Sequence, residues 1–543
     1  MKKLLSIFLV LLLLAGCAPT TTTDTTDPDA EATETADMME EKVVTVATIS
    51  DLQSLDQFYT TDGTSFIAIA SAISGLTQIA EDGSVLPDIA KSWEVSEDGA
   101  TYTFNLRDDY KWSNGDPVTA NDFVYSWNRM VQPLDGASAE YSFIFGAVKM
   151  VGADGSGELG AKAIDDYTLE VQLEQPIDFF LSLLAFPAFF PLNETFVEEK
   201  GNQYATSVDN FLSNGPYILD SWTPGTEFSY IKNPDYPMSD EVNIDRLTFK
   251  LLKDTQSAMM AFDADQVDVV PVSGQLVDIY KTRDEFNQRL SGYVWYLALN
   301  EEKDLGNKNL RLALAHAIDK DTIAESVLKD GSIGANGIIP KDLAGKDGVD
   351  FREASGTYQA FDLALAQEYL AKAKEELGTD QITLSMVFED SDSSKSVAEF
   401  LQSQIETNLE GVTVEMNQQS KKARLTTQQE GNFDIGLTRW GPDYADPQTY
   451  LELFLSDAGD YLNSSRYASE SYDSLGYEAF NGEASKDSDL RWTMMLEMEK
   501  TLLEDGGIIP LYQNGAAVMI KNGVSGIEFH PVAIDSYKHL SVE

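Results

Sequence analysis

The sequence predicts an α/β protein of two or three domains, on three observations. About 500 residues remain beyond an apolar leader and a polar linker, more than one hydrophobic core usually organises. Between residues of about 76 and 205, period-two alternation dominates and helices are few. From about residue 290 onward, stretches with helical spacing alternate with short strands, the pattern of α/β layers. A composition of 43% hydrophobic and 24% charged residues is that of packed, globular cores.

The leader comes first. Lys2 and Lys3 precede an apolar run from Leu4 to Leu14, followed by Leu14-Ala15-Gly16-Cys17. A basic start, a short apolar stretch and small residues at a cleavage point are an export signal, and the stretch is too short to span a bilayer. Cys17 is the sole cysteine of the chain. The segment resembles a bacterial lipoprotein signal, in which the cysteine is lipidated; the alternative is an ordinary secretory signal with an incidental cysteine. Residues 18–42 are rich in Thr, Ala, Asp and Glu without apolar periodicity, as expected of a disordered tether. The expected location is the extracytoplasmic face of the cell membrane, held by lipid.

Val43 to Ala47 reads as the first strand and Ser65 to Leu76 as a helix. Trp93 to Val95 and Tyr102 to Leu106 alternate around Glu97-Asp98-Gly99-Ala100, a hairpin. Thr119-Ala120-Asn121-Asp122 resembles a capping box before Phe123, Val124, Trp127 and Met130 on one helical face. Tyr167, Leu169, Val171 and Leu173 alternate as a strand, and Asn214-Gly215-Pro216 turns into another at Tyr217. Helical faces follow at Leu310, Leu314 and Ile318, at Ala366, Leu370 and Ala373, and at Val397, Leu401 and Ile405; strands lie at Ile382–Phe388 and Val412–Met416.

The net charge of −52 argues against nucleic acid and anionic lipid as direct ligands. Gly155-Ser156-Gly157-Glu158-Leu159-Gly160 matches a dinucleotide motif in letters only, because Asp165-Asp166 follows before any helix can form. Asp263 to Asp268 begins like a calcium loop but lacks its glycine and closing glutamate. The three histidines have no zinc spacing, and no GxSxG elbow occurs. We therefore expect no enzyme, metal or cofactor.

Phe433 to Leu437 reads as a strand ending in Thr438-Arg439-Trp440-Gly441-Pro442-Asp443-Tyr444-Ala445-Asp446-Pro447. Asp446 before Pro447 has the form of a helix cap, with Leu451, Phe454 and Leu455 on the apolar side of the helix. Asp443 has no such structural duty. It follows a Gly-Pro turn between two large aromatics, Trp440 and Tyr444, where a carboxylate can face a cleft.

The run Trp440-Gly441-Pro442-Asp443-Tyr444-x-Asp446-Pro447 resembles the signature loop of the oligopeptide-binding proteins of ABC importers. The likeness extends to Leu86–Trp93, Asp98–Arg107, Lys111–Trp127, Asn214–Tyr217, Lys232–Tyr236 and Ile509–Tyr512, in the same order. It implies a two-lobed, periplasmic-binding-protein-like fold with a hinge and an additional third domain. The implied layout is lobe I over 43–75, 206–290 and 506–543, the additional domain over 76–205, and lobe II over 291–505, with crossings near 290 and 505.

By the same resemblance, Asp443 pairs with a peptide's free α-amino group. Backbone at Leu437, Thr438, Arg439, Trp440 and Gly441 pairs with the extended ligand, and Thr61, Asp62 and Gly63 contribute from the other lobe. Tyr141 and Tyr444 frame the site. Basic residues or a histidine meet the ligand's C-terminus in well-known members; here Lys421 or Lys422, Gln428 and Ser394 align there, with Arg424 nearby. The implied partners are peptide and ABC permease subunits, and the protein is expected to be monomeric. A receptor of the same fold for a dipeptide, signalling peptide, sugar or metal complex, or a surface adhesin, stands as the alternative.

Overall fold

The computed structural model describes residues 41–59, 63–80, 83–131, 150–152, 157–530 and 534–543. Cys17, the linker as far as residue 40, Thr61, Asp62 and Tyr141 lie outside the described residues.

The two ends of one large mixed sheet carry separate cores. Its strands run in the order Val412–Gln419, Ile382–Glu389, Ile435–Trp440, Phe286–Leu299, Ile508–Ile520, Val269–Val272, Val43–Thr48, Arg246–Leu251, Glu227–Lys232 and Tyr217–Thr223, with Ile333–Gly334 added beside Ile508–Ile520. Two long strands, Phe286–Leu299 and Ile508–Ile520, run through both ends. Their register shifts between Leu290 and Val294, so Ser291 to Tyr293 bulge out of the ladder. A bulge bends and twists its strand, which turns the two ends of the sheet relative to each other.

The end built on Ile382–Glu389 is covered on both faces, as its parallel pairing with Val412–Gln419 requires. Leu310 and Leu314, Leu370, and Leu401 and Ile405 cover one face from helices Lys308–Ala317, Leu363–Leu377 and Asp392–Asn408. Tyr450, Phe454, Tyr472 and Met498 cover the other. At the opposite end, Val43–Thr48 pairs in parallel with Arg246–Leu251.

A separate antiparallel sheet joins Ala90–Val95, Thr101–Leu106, Thr168–Gln172 and Ala161–Asp165. The hairpin pairs Trp93 with Phe104 and turns at Gly99, whose φ of +71° suits glycine. Helix Ala120–Val131 opens as its sequence predicts: the Asp122 carboxylate accepts the Thr119 N–H at 2.7 Å. Trp127 is buried against Phe189 and donates from Nε1 to the Phe189 carbonyl at 2.9 Å.

The helix expected over Ser65–Leu76 spans Gly63–Ala72 instead. A distant turn stops it: Asn214 and Gly215 both donate backbone N–H bonds to the Ala72 carbonyl, and the Asn214 side chain accepts from Ser74. A helix whose last carbonyl is taken by another segment cannot continue. The acidic run Asp263 to Asp268 ends helix Thr255–Asp263, and the Asp268 carboxylate accepts the Thr45 N–H at 2.7 Å.

Candidate ligand-binding site

Strand Ile435–Trp440 pairs along its length with Phe286–Leu299, placing Arg439 opposite Trp295 and Trp440 opposite Val294. Its other neighbour, Ile382–Glu389, pairs with it only at Ile435 and Gly436. From Leu437 onward that edge of the strand has no ladder partner among the described strands. Alternation puts Leu437 in the core with Trp295, while Trp440 packs on the opposite face. Thr438 is buried, and its Oγ1 accepts from Arg424 Nη1 at 2.9 Å. The Arg439 guanidinium lies over the rings of Trp295 and Tyr293, 5.0 and 5.5 Å from their centroids. Tyr293 also covers Gly441 so closely that any Cβ there would run into its ring. This close approach accounts for the glycine.

Past the Gly441-Pro442 turn, the backbone N–H of Asp443 donates to Thr449 Oγ1 at 3.1 Å. The carboxylate itself has no hydrogen bond or ion pair among the described residues. Burial, and secondarily the charge of Glu452, pushes its pKa from the ordinary 3.8 up to about 7. A cavity of about 490 Å³ opens beside it, within the range of small-molecule and peptide sites. Asp443, Tyr444 and Ala445 line it together with the apolar side chains of Ile79, Phe186 and Ile534.

Asp446 corrects the sequence reading. It makes the cap bond expected of it, accepting the Gln448 N–H at 2.9 Å ahead of the turn in which Leu451 donates to the Pro447 carbonyl, but capping is not its only role. The main partner of Asp446 is Arg491, whose Nη1 and Nη2 donate to its two carboxylate oxygens at 2.8 and 2.7 Å in a buried fork. Arg491 also donates to Gln448 Oε1 at 3.0 Å, so one guanidinium holds the end of the signature loop.

Of the residues expected to line the site, Asp443 and Tyr444 line this cavity; Leu437 and Thr438 are buried in the strand that leads to it, Arg439, Trp440 and Gly441 are half-buried, and Gly63 opens its helix at an exposed position. Arg424 is committed elsewhere: it is buried, bonded to Gln428 and Thr438, and 3.7 Å from Glu389. Lys421 and Lys422 are exposed, and Ser394 is buried.

Sequence reasoning missed the segment Lys341–Asp350, which lines the cavity from Asp342 to Asp350. Its signal was present. Gly345–Lys346 pairs with Val349–Asp350 across Asp347-Gly348, both at positive φ, and an Asp-Gly dipeptide is a strong hairpin mark. Phe179 was missed as well. Its ring stacks on Tyr444 at 4.0 Å, and no local pattern marks that partnership.

Comparison with known proteins agrees with this geometry. The family model for bacterial extracellular solute-binding proteins, family 5, matches residues 84–461. A dipeptide-binding protein of Bacillus subtilis is 31% identical over 498 residues, covering 91% of this chain and 90% of its own. A dipeptide-binding protein of Lactococcus lactis is 32% identical, covering 91% and 93%. The solved structure of Listeria monocytogenes OppA bound to peptide superposes with a TM-score of 0.80 at 34% identity, covering 92% of this chain and 99% of that one. The fold is accordingly the mixed α/β, two-lobed architecture with an additional domain.

Proposed function

Given that the chain belongs to the bacterial extracellular solute-binding proteins of family 5, we propose that it is a lipid-anchored receptor that captures peptides and hands them to the permease subunits of an ABC importer. Asp443 carries the choice of ligand. A carboxylate with no cationic partner among the described residues, in a cavity lined by apolar and aromatic side chains, is complementary to a ligand ammonium group. The strand beside it supports an extended ligand, because its edge from Leu437 to Arg439 has no ladder partner among the described strands. A peptide can add there as a further strand, so that main-chain bonds supply affinity whatever the side chains are.

In this reading residues 43–75, 206–290 and 506–543 form lobe I, 291–505 form lobe II, and 76–205 form the additional domain. The bulge at Ser291 to Tyr293 serves as hinge. Cys17 carries the acyl anchor, and residues 18–42 give the receptor reach on the outer face of the membrane.

Mass spectrometry of small molecules released by denaturing the purified protein tests the ligand class. Peptides are the expected release. A non-peptide ligand, together with no calorimetric response to any member of a peptide panel, would sink the proposal.

A further inference from the structure

Ser291, Gly292 and Tyr293, which bulge from their strand, each meet a different segment of the chain. The Ser291 carbonyl accepts from Gln513 Nε2 at 3.0 Å, the Gly292 carbonyl accepts from the Tyr450 hydroxyl, and the Tyr293 ring covers Gly441. Tyr450 follows Thr449, the residue that holds the Asp443 N–H. Gln513, which is buried, leads elsewhere. Its Nε2 also donates to the Lys341 carbonyl at 3.1 Å, and its Oε1 accepts the Lys341 N–H at 2.9 Å. Lys341 immediately precedes the segment Asp342–Asp350 that lines the cavity. Just beyond that hairpin, Arg352 donates from Nη1 and Nη2 to the buried Glu499 carboxylate at 2.7 and 2.6 Å, which fastens this end to helix Ser488–Glu504.

We propose that Gln513 is a positioning residue for ligand capture: it ties the hairpin Asp342–Asp350 to the bulge, so that bending at the bulge and seating of the hairpin against the ligand are one event. This deepens the peptide reading above and rests on it. The hairpin is held at its two ends by different elements. Gln513, on the strand opposite the bulge, holds Lys341, and Glu499, on a helix, holds Arg352. A turn at the bulge moves one end relative to the other, and the hairpin between them must follow through a contiguous set of bonds. Glutamine alone suits the task. Its planar amide offers Lys341 an acceptor and a donor, as a neighbouring strand would, and gives its second donor to Ser291. Methionine has similar length but would leave the Lys341 N–H and both carbonyls without these partners. Glutamate would set a carboxylate against two carbonyl oxygens.

Hydrogen exchange on the exported protein, with and without saturating trialanine, tests this. In wild type the peptide should slow exchange at residues 342–350 and at 291–294 together, each by about tenfold or more. Gln513→Met should keep the slowing at 291–294 and lose most of it at 342–350. Calorimetry should show its affinity for trialanine reduced about ten- to a hundredfold. Asn514→Ala disturbs the same bulge, where the Asn514 amide donates to the Gly515 carbonyl at 2.8 Å, and should respond to peptide as wild type does. The ligand-dependent difference is decisive, because a residue that merely stabilised the hairpin would change its exchange equally with and without peptide. Such an equal change in Gln513→Met overturns the inference. The wild-type arm needs no substitution: slowing at only one of the two segments overturns the inference even if a variant folds poorly. In either case calorimetric binding of trialanine leaves the peptide reading standing. If neither trialanine nor any member of a peptide panel binds, the peptide reading falls and the Gln513 assignment falls with it.

Discussion

The ring of Phe179 lies parallel to that of Tyr444, with centroids 4.0 Å apart and planes within 10° of each other. Phe179 follows the separate four-stranded sheet in sequence, while Tyr444 adjoins Asp443 and is buried among the core residues around that sheet. Nearby, Gln175 Nε2 donates to the Phe480 carbonyl at 2.6 Å. The stack therefore joins the segment after that sheet to the signature loop itself. In Phe179→Leu the apolar contact is largely kept and the stacking, worth about 0.5–1.5 kcal/mol, is lost. Stopped-flow measurements should show peptide dissociation about two- to tenfold faster with association little changed. An unchanged dissociation rate would mean that the stack does not help retain the ligand.

Asp446→Asn should destabilise the protein, although asparagine caps helices as well as aspartate does. Breaking a buried, doubly bonded ion pair leaves Arg491 uncompensated at a cost of about 3–5 kcal/mol. The urea midpoint of the unfolding step that involves this lobe should fall clearly. A variant with wild-type stability would return Asp446 to a capping role alone.

Asp443→Asn should weaken binding of peptides with free amino ends by about two to three and a half decades, the equivalent of roughly 3–5 kcal/mol. N-acetylation of the peptide should do similar damage to wild type, and the two changes together should cost much less than their sum. Titration calorimetry on the four combinations gives the coupling directly.

Binding should also depend on pH with a defined sign. Ligand-free Asp443 titrates at about 7, and only its ionised form pairs with an ammonium group. Below that pH each unit should cost up to about tenfold in affinity. Above roughly pH 8 the peptide's own amine loses its proton, so affinity should peak between the two. Asp443→Asn should lack the acid limb.

Without ligand the sign reverses. A carboxyl group whose folded pKa is raised holds its proton more tightly folded than unfolded, so stability falls as pH rises from 3.8 toward 7. The penalty is at most about 4 kcal/mol, reduced by the solvent that enters the cavity. Ligand-free Asp443→Asn should therefore melt higher than wild type at pH 8, with the advantage shrinking by pH 5.

Cys17→Ser tests the anchor separately from the fold. The exported variant should leave the membrane fraction while keeping its peptide affinity. Retention in the membrane at wild-type levels would reject lipidation at Cys17.

Local pattern by itself determined much of this protein. Alternation around Asp98-Gly99 specified a hairpin, Thr119 with Asp122 specified a helix start, and the run from Phe433 to Asp443 specified a strand that ends in a turn and an uncommitted carboxylate. These are interactions over two to four residues, where side-chain direction follows from backbone geometry alone. Tertiary structure decided the rest. Helix Gly63–Ala72 stops early because Asn214 and Gly215 take its last carbonyl. Asp446 is an ion-pair partner as well as a cap because Arg491, on the helix that begins at Ser488, reaches it. Arg424 is spent on Glu389, Gln428 and Thr438, whereas Arg439 lies over aromatic rings and forms no ion pair among the described residues. In a chain with 90 acidic and 38 basic residues, almost any cation has a carboxylate close in sequence. Which charges are neutralised, and which are left for a ligand, depends on distances of a few ångströms between segments that only the folded chain brings together.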